Sequence, residues 1–210
     1  YNINEIFLKL EVKQMNKIEL LAPVGDFECL RATVQNGANA VYLGASMFSA
    51  RASAKNFDLS ELENAINYAH LRGVKVHLAL NTLIKNDEFE EALSLAKEAY
   101  RMGIDALIVQ DYGLCSMLLK YIPDLPLHAS TQMSIHNLEG AKELENLGFL
   151  RAVLSRETSL AELEFIKSHS NIELEVFIHG ALCISYSGQC LLSSIIGGRS
   201  RKPWKMCWSM

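Results

Sequence analysis

Three observations in the sequence predict an α/β fold, a TIM-like (β/α) barrel. From residue 18 onward, short apolar runs rich in β-branched residues alternate with longer amphipathic stretches. The phrases NGANAVYLG, RGVKVHLAL, MGIDALIVQ and LGFLRAVLS are variations on one theme: a helix-ending glycine, two or three residues, then a buried strand. No glycine-rich loop follows the first strand, so the barrel is favoured over a doubly wound nucleotide-binding sheet. Strands alternating with helices in this way demand parallel pairing with right-handed crossovers.

The strands expected are Ile18–Ala22, Ala40–Gly44, Val74–Leu80, Ala106–Gln110, Leu127–Ser130, Ala152–Ser155 and Leu174–Ile178. Helical patterns lie between them near 26–36, 58–72, 87–102, 112–121, 137–147 and 158–169. Asp26, Asp58 and Thr158 stand where helix N-caps belong, and Gly37, Gly73, Gly103 and Gly148 stand just past helix ends. The strands number seven where a closed barrel needs eight, so the barrel is read as incomplete. A missing strand leaves an apolar edge, which leads us to expect poor solubility or dimerisation.

Half of the 210 residues are hydrophobic and 21% are charged, enough to bury one substantial core. No apolar run reaches the roughly 18 residues of a membrane-spanning helix. The first residues lack a signal-peptide pattern, which points to the cytoplasm. An odd count of five cysteines without secretory context reads as free thiols or metal ligands rather than a disulfide framework. At a net charge of −4 there is no global basic footprint, so any contact with RNA must rest on a local patch.

Polar residues collect at the predicted strand ends: Asn81, Gln110, Asp111, Ser130, Thr131, Gln132, Ser155, Arg156, Glu157 and His179. A barrel places its active site at that C-terminal face, because the βα loops converge there. Asn81, Gln132, Arg156 and Glu157, together with Arg51, are the candidate substrate-binding residues. The bland alternative is that such residues merely cap strands and helices. Glu175 and His179 are four apart along a predicted strand and so share a face; they suit acid–base work or a satisfied buried pair. Cys183 and Cys190, with six residues between them, could provide half of a zinc or iron–sulfur ligand set or be two ordinary thiols.

The stretch EVFIHGALCISYSGQCLLS at 175–193 resembles the signature of the collagenase-like peptidase family. Glu175, Phe177, His179, Gly180, Cys183, Ser187, Gly188, Cys190 and Ser193 carry the likeness. It extends back through ELLAPVGD at 19–26, GANAVYLG at 37–44, ALIVQD at 106–111, LHASTQ at 127–132 and VLSRE at 153–157. The resemblance implies one of two activities. Older members are called peptidases or collagenases. Others are iron–sulfur hydroxylases that modify a pyrimidine of ribosomal or transfer RNA, or a ubiquinone precursor. It looks closest to the ribosomal RNA cytidine hydroxylase branch. By this resemblance Cys183 and Cys190 are the first two ligands of a 4Fe–4S cluster. Prephenate, as a small anionic metabolite, and ribosomal or transfer RNA are the implied partners.

The ends depart from the family pattern. Residues 1–14 read as a translated leader, expected to be disordered, before a barrel domain spanning 15–200. The tail RKPWKMCWSM at 201–210 replaces an expected GNRGxC continuation. A one-base shift in one choice of its codons restores GNRGKCAGP, so a frameshift is expected there and would cost the third cysteine ligand. An inactive truncated product is therefore a further reading, beside the peptidase.

Overall fold

A computed structural model of the chain describes residues 18–45, 47–49, 57–180 and 183–190. The expected leader, the tail with Cys207, and Arg51 lie outside the described residues. Seven strands form one parallel sheet in sequential order: β1 (Leu21–Pro23), β2 (Ala40–Gly44), β3 (Lys75–Leu80), β4 (Ala106–Val109), β5 (Leu127–Ala129), β6 (Arg151–Val153) and β7 (Glu173–Glu175). Between them run α1 (Phe27–Gln35), α2 (Leu59–His70), α3 (Phe89–Arg101), α4 (Tyr112–Tyr121), α5 (Leu138–Leu147) and α6 (Leu160–His169). The predicted TIM-like architecture is present as a curled seven-stranded sheet with helices packed outside it.

Local chemistry explains where the helices start and stop. Asp26 and Asp58 cap α1 and α2, their carboxylates accepting from the Cys29 and Glu61 N–H groups at 2.8 Å each. Gly37, Gly73, Gly103 and Gly148 all adopt positive φ, as the βα rhythm predicted. The cap of α6 differs from expectation: it is Ser159, not Thr158. Ser159 stands three residues before Glu162, so its N–H donates to the Glu162 carboxylate (2.8 Å) while its hydroxyl accepts from the Glu162 N–H (3.3 Å). Thr158 has no acid at that spacing.

The outward faces of the strands supply the core beneath the helices. Val76, Leu78 and Leu80 of β3, Leu107 and Val109 of β4, and Leu127 of β5 are buried with Leu62, Ile66, Leu114, Leu118 and Leu144 from the helices. Every second strand residue points the other way, into the barrel. That interior mixes small and branched apolar residues, such as Ala79, Ile108 and Val153, with charged and polar ones. Arg151, at the start of β6, bonds Glu19 at 2.7 Å and Glu173 at 2.7 Å, and Glu175 at 3.4 Å. Lys75 adds a contact to Glu19 at 3.4 Å.

These contacts measure the curvature of the sheet. Five strand spacings separate β1 from β6, which in a flat sheet would be about 24 Å. Glu19 stands two residues before β1, yet its carboxylate lies 2.7 Å from a β6 guanidinium. The sheet has therefore rolled far enough for its two sides to meet through side chains. One layer above, His77 of β3 and His128 of β5 stack edge to face with ring centroids 4.8 Å apart. Both are 2% exposed, and the Nδ1 atom of each has no hydrogen-bond partner among the described residues.

Burial opposes protonation of these rings. It pushes His77 down to about 4 and His128 to about 2, with the nearby Arg151 charge adding to the effect on both. Burial alone would raise Glu19, but the Arg151 hydrogen bond and charge outweigh it and hold that carboxylate low. Burial raises Glu175, and Arg151 offsets this only in part.

Replacing Arg151 with Met leaves the partly buried Glu175 carboxylate without its cation and Glu19 with only the longer Lys75 contact. We expect a loss of about 3 kcal/mol in urea unfolding; a loss below about 0.5 kcal/mol would show that the clasp is not holding the roll. The histidines predict a pH dependence. The unfolded chain protonates them near 6.5 while the folded chain resists until about 4 and about 2. The unfolded state therefore binds more protons in the window from 6.5 to about 4. Stability should fall as pH falls through it, by about 1.4 kcal/mol per unit for each ring. Glu175, raised in the fold, has the opposite sign and offsets part of the fall. Urea midpoints at pH 7 and pH 5 should show the decline, and His128→Gln should make it shallower; an unchanged slope would refute the assignment.

Candidate functional site

At the C-terminal ends of the strands the polar residues form a connected rim. Asn81, after β3, donates to the Ser130 hydroxyl after β5 at 3.4 Å. The same hydroxyl accepts from the Gln132 N–H at 3.2 Å, and Gln110 after β4 donates to the Gln132 carbonyl at 3.4 Å. The Gln110 carbonyl oxygen is buried without a partner among the described residues. Asp111 is taken up structurally: it caps α4 through the Leu114 N–H (2.9 Å) and accepts from the Ile84 N–H (3.1 Å).

The segment 183–190, which carries both candidate metal thiols, is fastened to this rim around Ser187. Ser187 is 2% exposed. Its N–H donates to Glu157 Oε1 at 2.8 Å, and its hydroxyl lies 3.4 Å from the same oxygen. The hydroxyl also accepts from the Arg156 backbone N–H and from Arg156 Nε, both at 3.3 Å. Its carbonyl accepts from the Ser134 hydroxyl at 2.6 Å, and Gln189 Nε2 donates to that hydroxyl at 2.9 Å.

The neighbouring backbone fits closely. Gly188 has φ +77, and a Cβ built there would lie 2.4 Å from the Gln132 carbonyl oxygen and 2.6 Å from Ser134 Oγ. Ser134 itself adopts the left-handed conformation at φ 59, unusual for a residue with a side chain. Two loops, after β5 and β6, thus grip the third.

Of the predicted substrate-binding residues, the structure brings Gln132, Arg156 and Glu157 together around Ser187, and links Asn81 to them through Ser130. The predicted pairing of Glu175 with His179 is not formed. β7 ends at Glu175, so the strand alternation that would have aligned the two stops before His179. Glu175 faces Arg151 inside the barrel, while His179 is exposed beyond the strand. Sequence reasoning missed Ser187, Ser134 and Gln189 as organising residues. Gly188 was the available signal, since a glycine between polar residues marks a close backbone approach.

Cys183 and Cys190 are free, half-buried thiols at either end of the docked turn. No group of three or more His, Cys, Asp or Glu suited to a metal occurs among the described residues. The donor set therefore fits two of the four thiolates that a 4Fe–4S cluster takes and does not complete it.

A family profile described as peptidase family U32 matches residues 25–207. The chain belongs to that family. It is 42% identical over 185 residues to the 23S rRNA 5-hydroxycytidine synthase of Escherichia coli, covering 88% of this chain and 28% of that protein. It is 38% identical to the tRNA hydroxylation protein P of the same organism, covering 88% of this chain and 41% of that protein. A protein named collagenase from Porphyromonas gingivalis is 32% identical, with 85% and 45% covered. The chain thus spans less than half the length of each of these relatives. Among solved structures, a U32 peptidase superposes with a TM-score of 0.63 at 18% identity, covering 75% of this chain and 67% of that one. A glycerophosphodiester phosphodiesterase from Parabacteroides distasonis superposes at 0.56 with 11% identity, covering 78% and 85%. Likenesses this distant in sequence establish the barrel fold alone. No described helix is long and apolar enough to cross a membrane.

The tight seat of Gly188 predicts the behaviour of the thiol-bearing turn. Gly188→Ala should force the segment off the rim and raise the alkylation rates of Cys183 and Cys190 several-fold, with the far-ultraviolet spectrum preserved. Mass spectrometry after timed iodoacetamide exposure measures both, and unchanged rates would mean that the turn does not depend on this contact.

Proposed function

We propose that this chain is the barrel portion of an iron–sulfur protein that hydroxylates a pyrimidine of ribosomal or transfer RNA. The observation carrying this reading is the 42% identity to a ribosomal RNA 5-hydroxycytidine synthase across 88% of the chain. Its support in the site is the placement of two free thiols on a turn fastened at the barrel mouth, where a (β/α) barrel conducts its chemistry. Cys183 and Cys190 would ligate the cluster, which supplies electron-transfer capacity when bound. The other thiolates would come from polypeptide outside the described residues.

Arg156 is the group proposed to meet a small anionic co-substrate such as prephenate. Only its Nε is engaged, with Ser187, and its terminal nitrogens bond no carboxylate among the described residues. A guanidinium so presented suits a carboxylate or phosphate. Asn81, Gln132 and, outside the described residues, Arg51 would complete the contacts. Glu175 and His179 keep separate parts in this reading: Glu175 holds Arg151 in the barrel, and His179 stands exposed near the thiol turn. Peptidase activity is the second reading, favoured by the 32% identity to a protein named collagenase.

Anaerobic incubation with iron and sulfide should give a protein with cluster-type visible absorption that Cys183→Ser and Cys190→Ser abolish. Mass spectrometry of RNA from cells lacking the gene should show loss of one hydroxylated pyrimidine. Chelator-sensitive hydrolysis of gelatin, with RNA modification intact, would favour the peptidase instead.

A further inference from the structure

Arg156 and Glu157 are consecutive, opposite in charge and on the same turn, yet they do not pair. Ser187 stands between them. Its hydroxyl accepts from Arg156 Nε at 3.3 Å and lies 3.4 Å from Glu157 Oε1, and its N–H occupies that carboxylate oxygen at 2.8 Å. A neutral, buried serine brought from 30 residues downstream thus takes the place that each charged neighbour would otherwise fill for the other. The consequence is chemical. Glu157 has its negative charge compensated by a backbone donor, and Arg156 keeps its positive charge uncompensated at the barrel mouth.

We propose that Ser187 is a positioning residue that keeps Arg156 available to a dicarboxylate or phosphate ligand by holding Glu157 away from it. This rests on Arg156 being the anion-facing group proposed above. The same contacts dock the turn bearing Cys183 and Cys190, through Ser134 to the Ser187 carbonyl and through Gly188 against Gln132. Seating of the thiol turn and readiness of the anion site are therefore one event. When the turn lifts, Ser187 leaves, and the Glu157 carboxylate of the adjoining residue is released to compete for the Arg156 guanidinium. The anion site is then quenched by its own neighbour. An anionic ligand binds well only when the thiol turn is seated, and by reciprocity a bound anion favours the seated turn.

The test is calorimetric titration of the 210-residue chain with malonate as the probe dianion. Arg156→Ala should abolish saturable binding. Ser187→Ala should weaken it about fivefold, the size of one partly exposed ion pair gained by the competitor. Ser187→Thr, which keeps the hydroxyl, should bind within about twofold of the parent. The double variant Ser187→Ala with Glu157→Gln should recover parental affinity, because glutamine still accepts from the residue 187 N–H but cannot neutralise Arg156. A merely structural role for Ser187 would not be rescued by removing that charge. If Arg156→Ala binds malonate like the parent, the anion-site reading itself fails. If Arg156→Ala loses binding while Ser187→Ala retains it, or if the double variant stays weak, the positioning role is overturned.

Discussion

Arg151 reaches from the first residue of β6 to carboxylates at Glu19, Glu173 and Glu175, and the roll of the sheet depends on that reach. A sheet whose first and last described strands do not pair has no backbone ladder to hold its two sides together. Here side-chain charge takes the part of the missing ladder. The guanidinium suits the task because it offers several donors in a fixed fork and stays charged under burial. Breaking it would strand acids in the interior, so the contact is strongly favoured once formed even though its assembly desolvates every member.

That choice of closure shapes the rest of the interior. With an ionic layer at the N-terminal end of the barrel, the next layer is two neutral histidines and the next a rim of amide and hydroxyl groups. Barrels of this type usually fill their centre with branched apolar residues. In this chain the larger apolar cluster lies between strands and helices, where Leu, Val and Ala dominate, while Ile108 and Val153 share the centre with the polar groups. This interior opens at the mouth onto the loops that seat Ser187.

The mouth is built by cross-linking loops rather than by strands. Ser130 joins the loops after β3 and β5, Ser134 joins the β5 loop to the thiol turn, and Ser187 joins that turn to the loop after β6. Each link runs through one serine hydroxyl or its own backbone, meeting an amide, a carbonyl or a carboxylate, which gives precise position at little cost in conformational entropy. Arg156 is left presented to solvent as a consequence of that arrangement, and the two cysteines are held on the same support.

The strands, helices, parallel order and most caps were legible in the sequence, because each depends on contacts within a few residues: apolar periodicity, an acid before a helix, a glycine after it. The cluster of Gln132, Arg156 and Glu157 at the mouth was legible for a related reason, since parallel alternation places all strand ends on one face. The partnership of Glu175 with His179 was misread because a period-two argument holds only while the strand continues, and β7 stops at Glu175. Thr158 was mistaken for a cap when the spacing to Glu162 already selected Ser159. By itself the sequence determined the fold class, the family and part of the set gathered at the barrel mouth, Gln132, Arg156 and Glu157 among them. Tertiary structure alone decided that Arg151 meets Glu19 across 132 residues and that Ser187 separates Arg156 from Glu157. Those contacts join segments distant in the chain, and no local pattern records which side chain will arrive between two others.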